Sequence, residues 1–133
     1  MDKENRKKIT SYRDLEVYQN TYHAAIRVIK EVLPKLPGSE KYDLRDQMFR
    51  ACKAIPRLIA EGYAKRHQRL GFQKYLDDAM AECNEMVVCL SQCRDIYNIS
   101  YEDLIDLYDK SGRQLYNLSM AWTNFKVKSR RTT

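Results

Sequence analysis

Four runs of apolar residues, each recurring every three or four positions, constrain this chain more than any other feature of its sequence. Such spacing lines one side of an α-helix and cannot be kept in register on a strand, whose faces alternate every two residues. Leu15, Tyr18, Tyr22, Ile26, Ile29 and Leu33 mark a first helix over about 12–33, closed by Pro34-Lys35-Leu36-Pro37-Gly38. Leu44, Met48, Ala51, Cys52, Ile55, Leu58, Ile59 and Gly62 mark a second, with Ser39 as its expected cap and Arg66 near its end. Pro56 lies inside it and predicts a kink rather than a stop.

A third stripe follows at Phe72, Leu76, Ala79, Met80, Cys83, Met86, Val87, Leu90, Cys93, Ile96 and Tyr97, with Asn98 as its stop. Ser100-Tyr101-Glu102-Asp103 resembles a capping box and opens a fourth, through Leu104, Leu107, Tyr108, Leu115, Leu118, Trp122 and Phe125. With only 4 Gly and 3 Pro in 133 residues there are few turns, which argues against a sandwich or barrel. Short connections between the stripes predict an all-α, antiparallel up-down-up-down four-helix bundle. One domain is expected at 12–125, between a basic, disordered N-terminal arm (1–11) and a basic C-terminal tail (126–133).

The net charge of +6 is unevenly placed. From Lys41 to Lys74 nine Lys/Arg oppose three acids, whereas from Tyr75 to Asp109 nine acids oppose Arg94 alone. Two readings of this division stay open. Arg50, Lys53 and Arg57 share one side of helix two, and Lys65, Arg66 and Arg69 extend it. With Lys126, Lys128, Arg130 and Arg131 of the tail they form a candidate surface for RNA or DNA. Tyr42, Tyr63 and Tyr75 lie in or beside that segment as candidates for stacking. Alternatively, the basic and acidic halves complement each other within the bundle or between subunits.

Chemistry finds little support. The histidines, His23 and His67, follow Asn20 and Ala64 at the three-residue spacing, so the Glu-x-x-His pairs of a di-iron bundle are absent. The glycines are scattered and make no phosphate loop. Cys52, Cys83, Cys89 and Cys93 match no common zinc spacing and read as packed, reduced thiols of a cytoplasmic protein without signal peptide or membrane span. Glu61, Glu82 and Glu85 can be read as acid–base groups, or as part of a structural polar network with Gln47, Arg50 and Asn84 that sets helix register. The structural reading is preferred, so neither catalysis, metal nor cofactor is expected.

Two blocks of sequence go further. Tyr12-Arg13-Asp14-Leu15-Glu16-Val17-Tyr18-Gln19 resembles the opening of the four-helix-bundle family encoded within intervening sequences of bacterial 23S ribosomal RNA genes. Residues 50–62, Arg-Ala-Cys-Lys-Ala-Ile-Pro-Arg-Leu-Ile-Ala-Glu-Gly, resemble that family's strongest motif, Arg-Ala-Ala-x-Ser-Ile-Pro-x-Asn-Ile-Ala-Glu-Gly. Phe72, Tyr75, Leu76, Ala79, Asn84, Glu85 and Leu90 fit its third helix, and Gly112, Arg113 and Leu115 its fourth.

The resemblance implies assembly into a ring-shaped homopentamer. It also implies kinship with the accessory variability determinant of diversity-generating retroelements, a basic pentamer that binds nucleic acid and a reverse transcriptase. Lys53 and Arg57 stand where the family has small or apolar residues, which adds positive charge. Ala54 and Leu58 replace its Ser and Asn, removing polar partners near Glu61. The expected function is a non-catalytic oligomer that binds RNA or DNA with low sequence specificity, as an accessory factor in an RNA-related or reverse-transcription process. The alternative is a structural, protein-binding bundle whose charges serve assembly.

Overall fold

The computed structural model describes residues 8–132, the side chains of 125–132 excepted. Among the described residues there are four α-helices and no strand: α1 (Glu16–Arg27), α2 (Leu44–Ala64), α3 (Gly71–Tyr97) and α4 (Glu102–Thr132). Residues 126–132 of the expected tail thus continue α4 in their backbone.

The first helical segment is composite. Ser11 accepts from the backbone N–H of Arg13 and Asp14 accepts from those of Thr10 and Ser11, closing a capping box over one 3-10 turn, Tyr12–Asp14. Leu15 is extended, and α1 begins after it. At Val28–Val32 the helix widens, the Leu33 N–H bonding back to the Val28 carbonyl five residues earlier. A 3-10 turn, Leu33–Lys35, ends the segment at Pro34.

The core face of α1 differs from the expected stripe. Val17, Thr21, Ala24, Ala25, Val28 and Val32 are buried, whereas Tyr22 is 47% and Ile26 37% exposed. Small side chains face inward there, and Thr21 can join them because its hydroxyl donates to the Val17 carbonyl at 2.8 Å. Of the expected stripe, Leu15 and Leu33 are buried, Tyr18 and Ile29 pack partly against the core, and Tyr22 and Ile26 are left on the outer flank.

Helix α2 runs unbroken through Pro56, with Met48, Ala51, Cys52, Ile55, Ile59 and Gly62 buried as the spacing predicts. Its start is not capped by Ser39, which lies in a separate 3-10 turn, Gly38–Glu40. Glu40 instead reaches forward to the Leu44 N–H at 3.5 Å, and it also accepts from the Tyr97 hydroxyl. One carboxylate thereby ties the start of α2 to the end of α3.

Between α2 and α3 the chain reverses in a few residues. Leu70 takes a left-handed conformation (φ 57°), and a Cβ on Gly71 would stand 2.2 Å from the Lys65 carbonyl oxygen, so only glycine fits. Asn98, also left-handed, ends α3 as predicted, donating to the Arg94 carbonyl at 3.1 Å.

Cys93 near the end of α3 meets Met48 near the start of α2, their sulfurs 3.7 Å apart. Phe72 at the start of α3 packs edge-on against Tyr63 of α2 and Trp122 of α4. Asp103, read from the sequence as part of a cap, accepts from Arg27 of α1 at 2.6 Å. The centre is filled by Met48, Ile55, Ile59, Phe72, Leu76, Met86, Leu90, Leu104, Tyr108 and Leu115, all fully buried.

Candidate nucleic-acid interface

The core stripe of α2 faces inward, so its cations are carried on the outer side, and their partners decide what they are free to do. Lys53 places its ammonium 3.4 Å from the centroid of the Phe49 ring. Arg57 donates through Nε to the Lys53 carbonyl at 3.3 Å. Lys65 donates to the Tyr75 hydroxyl at 2.7 Å, an interaction that raises its already high pKa and keeps it charged. Arg66 lies over the Tyr63 ring, 4.0 Å from its centroid, and donates to the Tyr63 carbonyl at 2.8 Å. Arg69 is exposed.

Of these expected contact residues, Arg50 alone forms an ion pair among the described residues, with Asp46 at 3.0 Å and with its own side chain 71% exposed. The other ion pairs sit elsewhere, on Arg27, Arg94 and Arg113. A ring face or carbonyl engages a cation without cancelling its charge. Lys53, Arg57, Lys65 and Arg66 are therefore positioned by neutral groups and keep their net charge. Lys126, Lys128, Arg130 and Arg131 have side chains outside the described residues.

The polar set Gln47, Arg50, Glu61, Asn84 and Glu85 is not gathered into one buried network. All five are exposed. Gln47 donates to Asp43, the residue before α2, at 3.2 Å and accepts from the Cys89 thiol of α3 at 4.0 Å, and Arg50 pairs with Asp46 one turn back. The physical reason is rotational: the apolar stripe of α2 occupies the seam with α3, which turns Glu61 and Arg50 outward. Glu82, beside this set, has a carboxyl raised above its usual range, by burial first and then by the neighbouring charge of Glu85. Together with Glu61, Asp78 and Arg57 it borders an open α2–α3 groove.

Of the tyrosines expected beside the basic segment, Tyr63 and Tyr75 carry Arg66 and Lys65, and Tyr42 lies under Lys41, 5.4 Å from its ring centroid. A different aromatic set was missed by sequence reading. Tyr12, Tyr18 and Tyr22 form a row in which Tyr12 and Tyr18 meet edge-on at 4.9 Å and Tyr18 and Tyr22 lie 6.0 Å apart, tilted by 32°. With Ile26 they line one wall of a groove of about 420 Å³ whose other wall holds Lys53, Pro56 and Arg57. Tyr18 and Tyr22 belong to the first apolar stripe, whose spacing points them to the core, and Tyr12 precedes it.

All four cysteines are free and buried. Among the described residues no group of three or more His, Cys, Asp or Glu is placed to hold a metal ion. No helix among them is long and apolar enough to cross a membrane.

Residues 13–117 match the family model described as 23S rRNA-intervening sequence protein, and the chain belongs to that family. Searches of curated proteins and of solved structures each returned no match.

Proposed function

We propose that this member of the 23S rRNA-intervening sequence family is a non-catalytic, cytoplasmic, homo-oligomeric bundle that binds RNA or DNA with low sequence specificity. It acts as an accessory factor in an RNA-related process, with a reverse transcriptase as one partner class. The observation that carries this reading is the pairing pattern on α2 and the turn that follows it. Lys53, Arg57, Lys65 and Arg66 are held by rings, carbonyls and a hydroxyl rather than by carboxylates. Their charge remains available to a phosphate backbone.

The antiparallel up-down-up-down arrangement is supported by contacts between opposite ends of consecutive helices, such as Met48 with Cys93 and Tyr63 with Phe72. A ring of five copies is the assembly that family membership suggests. Such a ring would repeat the cationic flank around its circumference and raise affinity through multiple attachment.

Titration with labelled single- and double-stranded oligonucleotides at rising salt tests the proposal. Affinity should fall steeply with salt, and Lys53→Glu/Arg57→Glu should flatten the log–log slope by about two. Unchanged affinity in that variant would remove α2 as the contact.

A second reading is favoured by the acidic half of the chain, where Asp77, Asp78 and Glu85 form no ion pair among the described residues. Opposite flanks of successive copies would then neutralise each other, and nucleic acid would have no role. Under that reading light scattering should show the oligomer dissociating as salt rises while oligonucleotides fail to bind.

A further inference from the structure

We propose that the groove between α1 and α2 is a base-stacking subsite for single-stranded nucleic acid, with Tyr18 and Tyr22 as the platform and Lys53 and Arg57 as phosphate contacts. The proposal rests on the nucleic-acid reading above and adds to it where the strand lies and why it must be single.

Three features of the groove meet here. The first is an open aromatic surface: Tyr22 is 47% exposed and stands 6.0 Å from Tyr18, with the apolar side chain of Ile26 beside it. Tyr22 is left half in water on a helix whose small residues already fill the core, while Tyr18 is partly buried against that core. Tyr22 meets Tyr18 and, edge-on at 5.7 Å, His23, and its exposed half is the surface it offers a planar partner. Base–aromatic stacking is tolerant of sequence, since every base has such a face.

The second feature is the opposite wall. Lys53 and Arg57 border the groove without an ion-pair partner among the described residues, and no carboxylate lines it. Arg57 spends only Nε on the Lys53 carbonyl, which leaves its terminal nitrogens for a phosphate. On its far side Arg57 borders a groove carrying Glu61, Asp78 and Glu82, and no ion pair forms with any of them. That acidic neighbour repels a strand and confines it to the tyrosine side.

The third is size. About 420 Å³ lies within the range of sites that enclose small ligands, and it is an open cleft rather than a sealed void. A duplex keeps its bases stacked inside and can present only phosphates to this surface. A single strand can lay a base against Tyr22 while its phosphates reach α2.

The test uses the full chain with three probes at fixed salt: a labelled 12-nucleotide oligouridylate, an abasic strand of equal length, and inorganic polyphosphate. The native protein is expected to bind oligouridylate about tenfold more tightly than the abasic strand. Tyr18→Ala/Tyr22→Ala should erase that margin while leaving polyphosphate affinity unchanged, and Tyr22→Phe should retain it. Tyr22→Ala alone, at a half-exposed position, is the second variant should the double one melt early, and it should lose part of the margin.

A margin that survives loss of both tyrosines, while Lys53→Glu/Arg57→Glu weakens every probe, overturns the subsite and leaves the wider nucleic-acid reading standing. No binding of any probe by the native protein overturns both. A smaller mass in light scattering for Tyr22→Ala, without any change in oligouridylate affinity, assigns the groove to a second copy of the chain and likewise overturns the subsite.

Discussion

Gly62 of α2 lies so close to Tyr75 of α3 that a Cβ on the glycine would stand 2.7 Å from the tyrosine's Cβ, with a Phe72 ring carbon at 3.1 Å. The two helices approach at a point where one of them carries no side chain. Gly62 lies in the last turn of α2, and since glycine is a poorer helix former than alanine, its presence here reflects the contact and not the helix.

Gly62→Ala is therefore expected to destabilise the fold although it improves helix propensity. Overpacking costs about 1–3 kcal/mol, and Tyr75 cannot retreat without disturbing its bond to Lys65. Urea denaturation should show a lower midpoint. An unchanged or raised midpoint would mean that α2 and α3 separate easily.

Tyr108 of α4 is fully buried, and its hydroxyl has no hydrogen-bond partner among the described residues. Burial pushes its ionisation well above the usual phenol range, and the Cys52 and Cys83 thiols add to the shift. A buried polar group left unmatched costs about 1–3 kcal/mol. Tyr108→Phe should consequently be as stable as the native chain or more so by thermal melting. A clear loss of stability would show that the hydroxyl is bonded in solution.

Arg27 and Asp103 join the end of α1 to the start of α4 across 2.6 Å. The guanidinium holds the Asp103 carboxyl below its usual range, the hydrogen bond being the largest cause. A depressed carboxyl adds stability above its unfolded value, near about pH 4, and loses it as pH falls through the folded value. Because the pair is largely exposed, Asp103→Asn should cost no more than about 1 kcal/mol at neutral pH. The difference between variant and native chain should vanish in acid. A gap that persists at pH 2 would assign the loss to packing rather than charge.

Burial pushes the Cys52 and Cys93 thiols up to about 11 and those of Cys83 and Cys89 up to about 12. At pH 8 almost none is thiolate, the reactive form. Folded protein should resist a thiol reagent that labels all four cysteines once urea unfolds the chain. Rapid labelling of Cys89 alone would reveal local opening of the α2–α3 seam.

The helices were legible because their cores repeat at helical spacing: Met48, Ile55 and Ile59 on α2 and Leu76, Cys83 and Leu90 on α3 are buried as that spacing requires. Asn98 could be read as a stop because few residues other than glycine adopt its left-handed conformation readily. The face of α1 was not legible. Spacing alone favours its large residues for the core, yet close packing admits Ala24, Ala25 and Thr21 and leaves Tyr22 and Ile26 outside. Ser39 misled for a related reason, since a good capping residue says nothing about a 3-10 turn intervening before the helix.

The basic character of α2 is likewise written in the chain, but whether those charges are cancelled is not. Sequence by itself determined an all-helical chain with cations concentrated in one segment, because periodicity and net charge are local properties of residue order. The tertiary structure alone decided that Lys53 rests on Phe49 rather than on a carboxylate, and that Tyr18 and Tyr22 stand across a groove from Arg57. Those relationships depend on the rotation of each helix about its axis. That rotation is set by the fit of side chains between neighbours, which no single helix specifies.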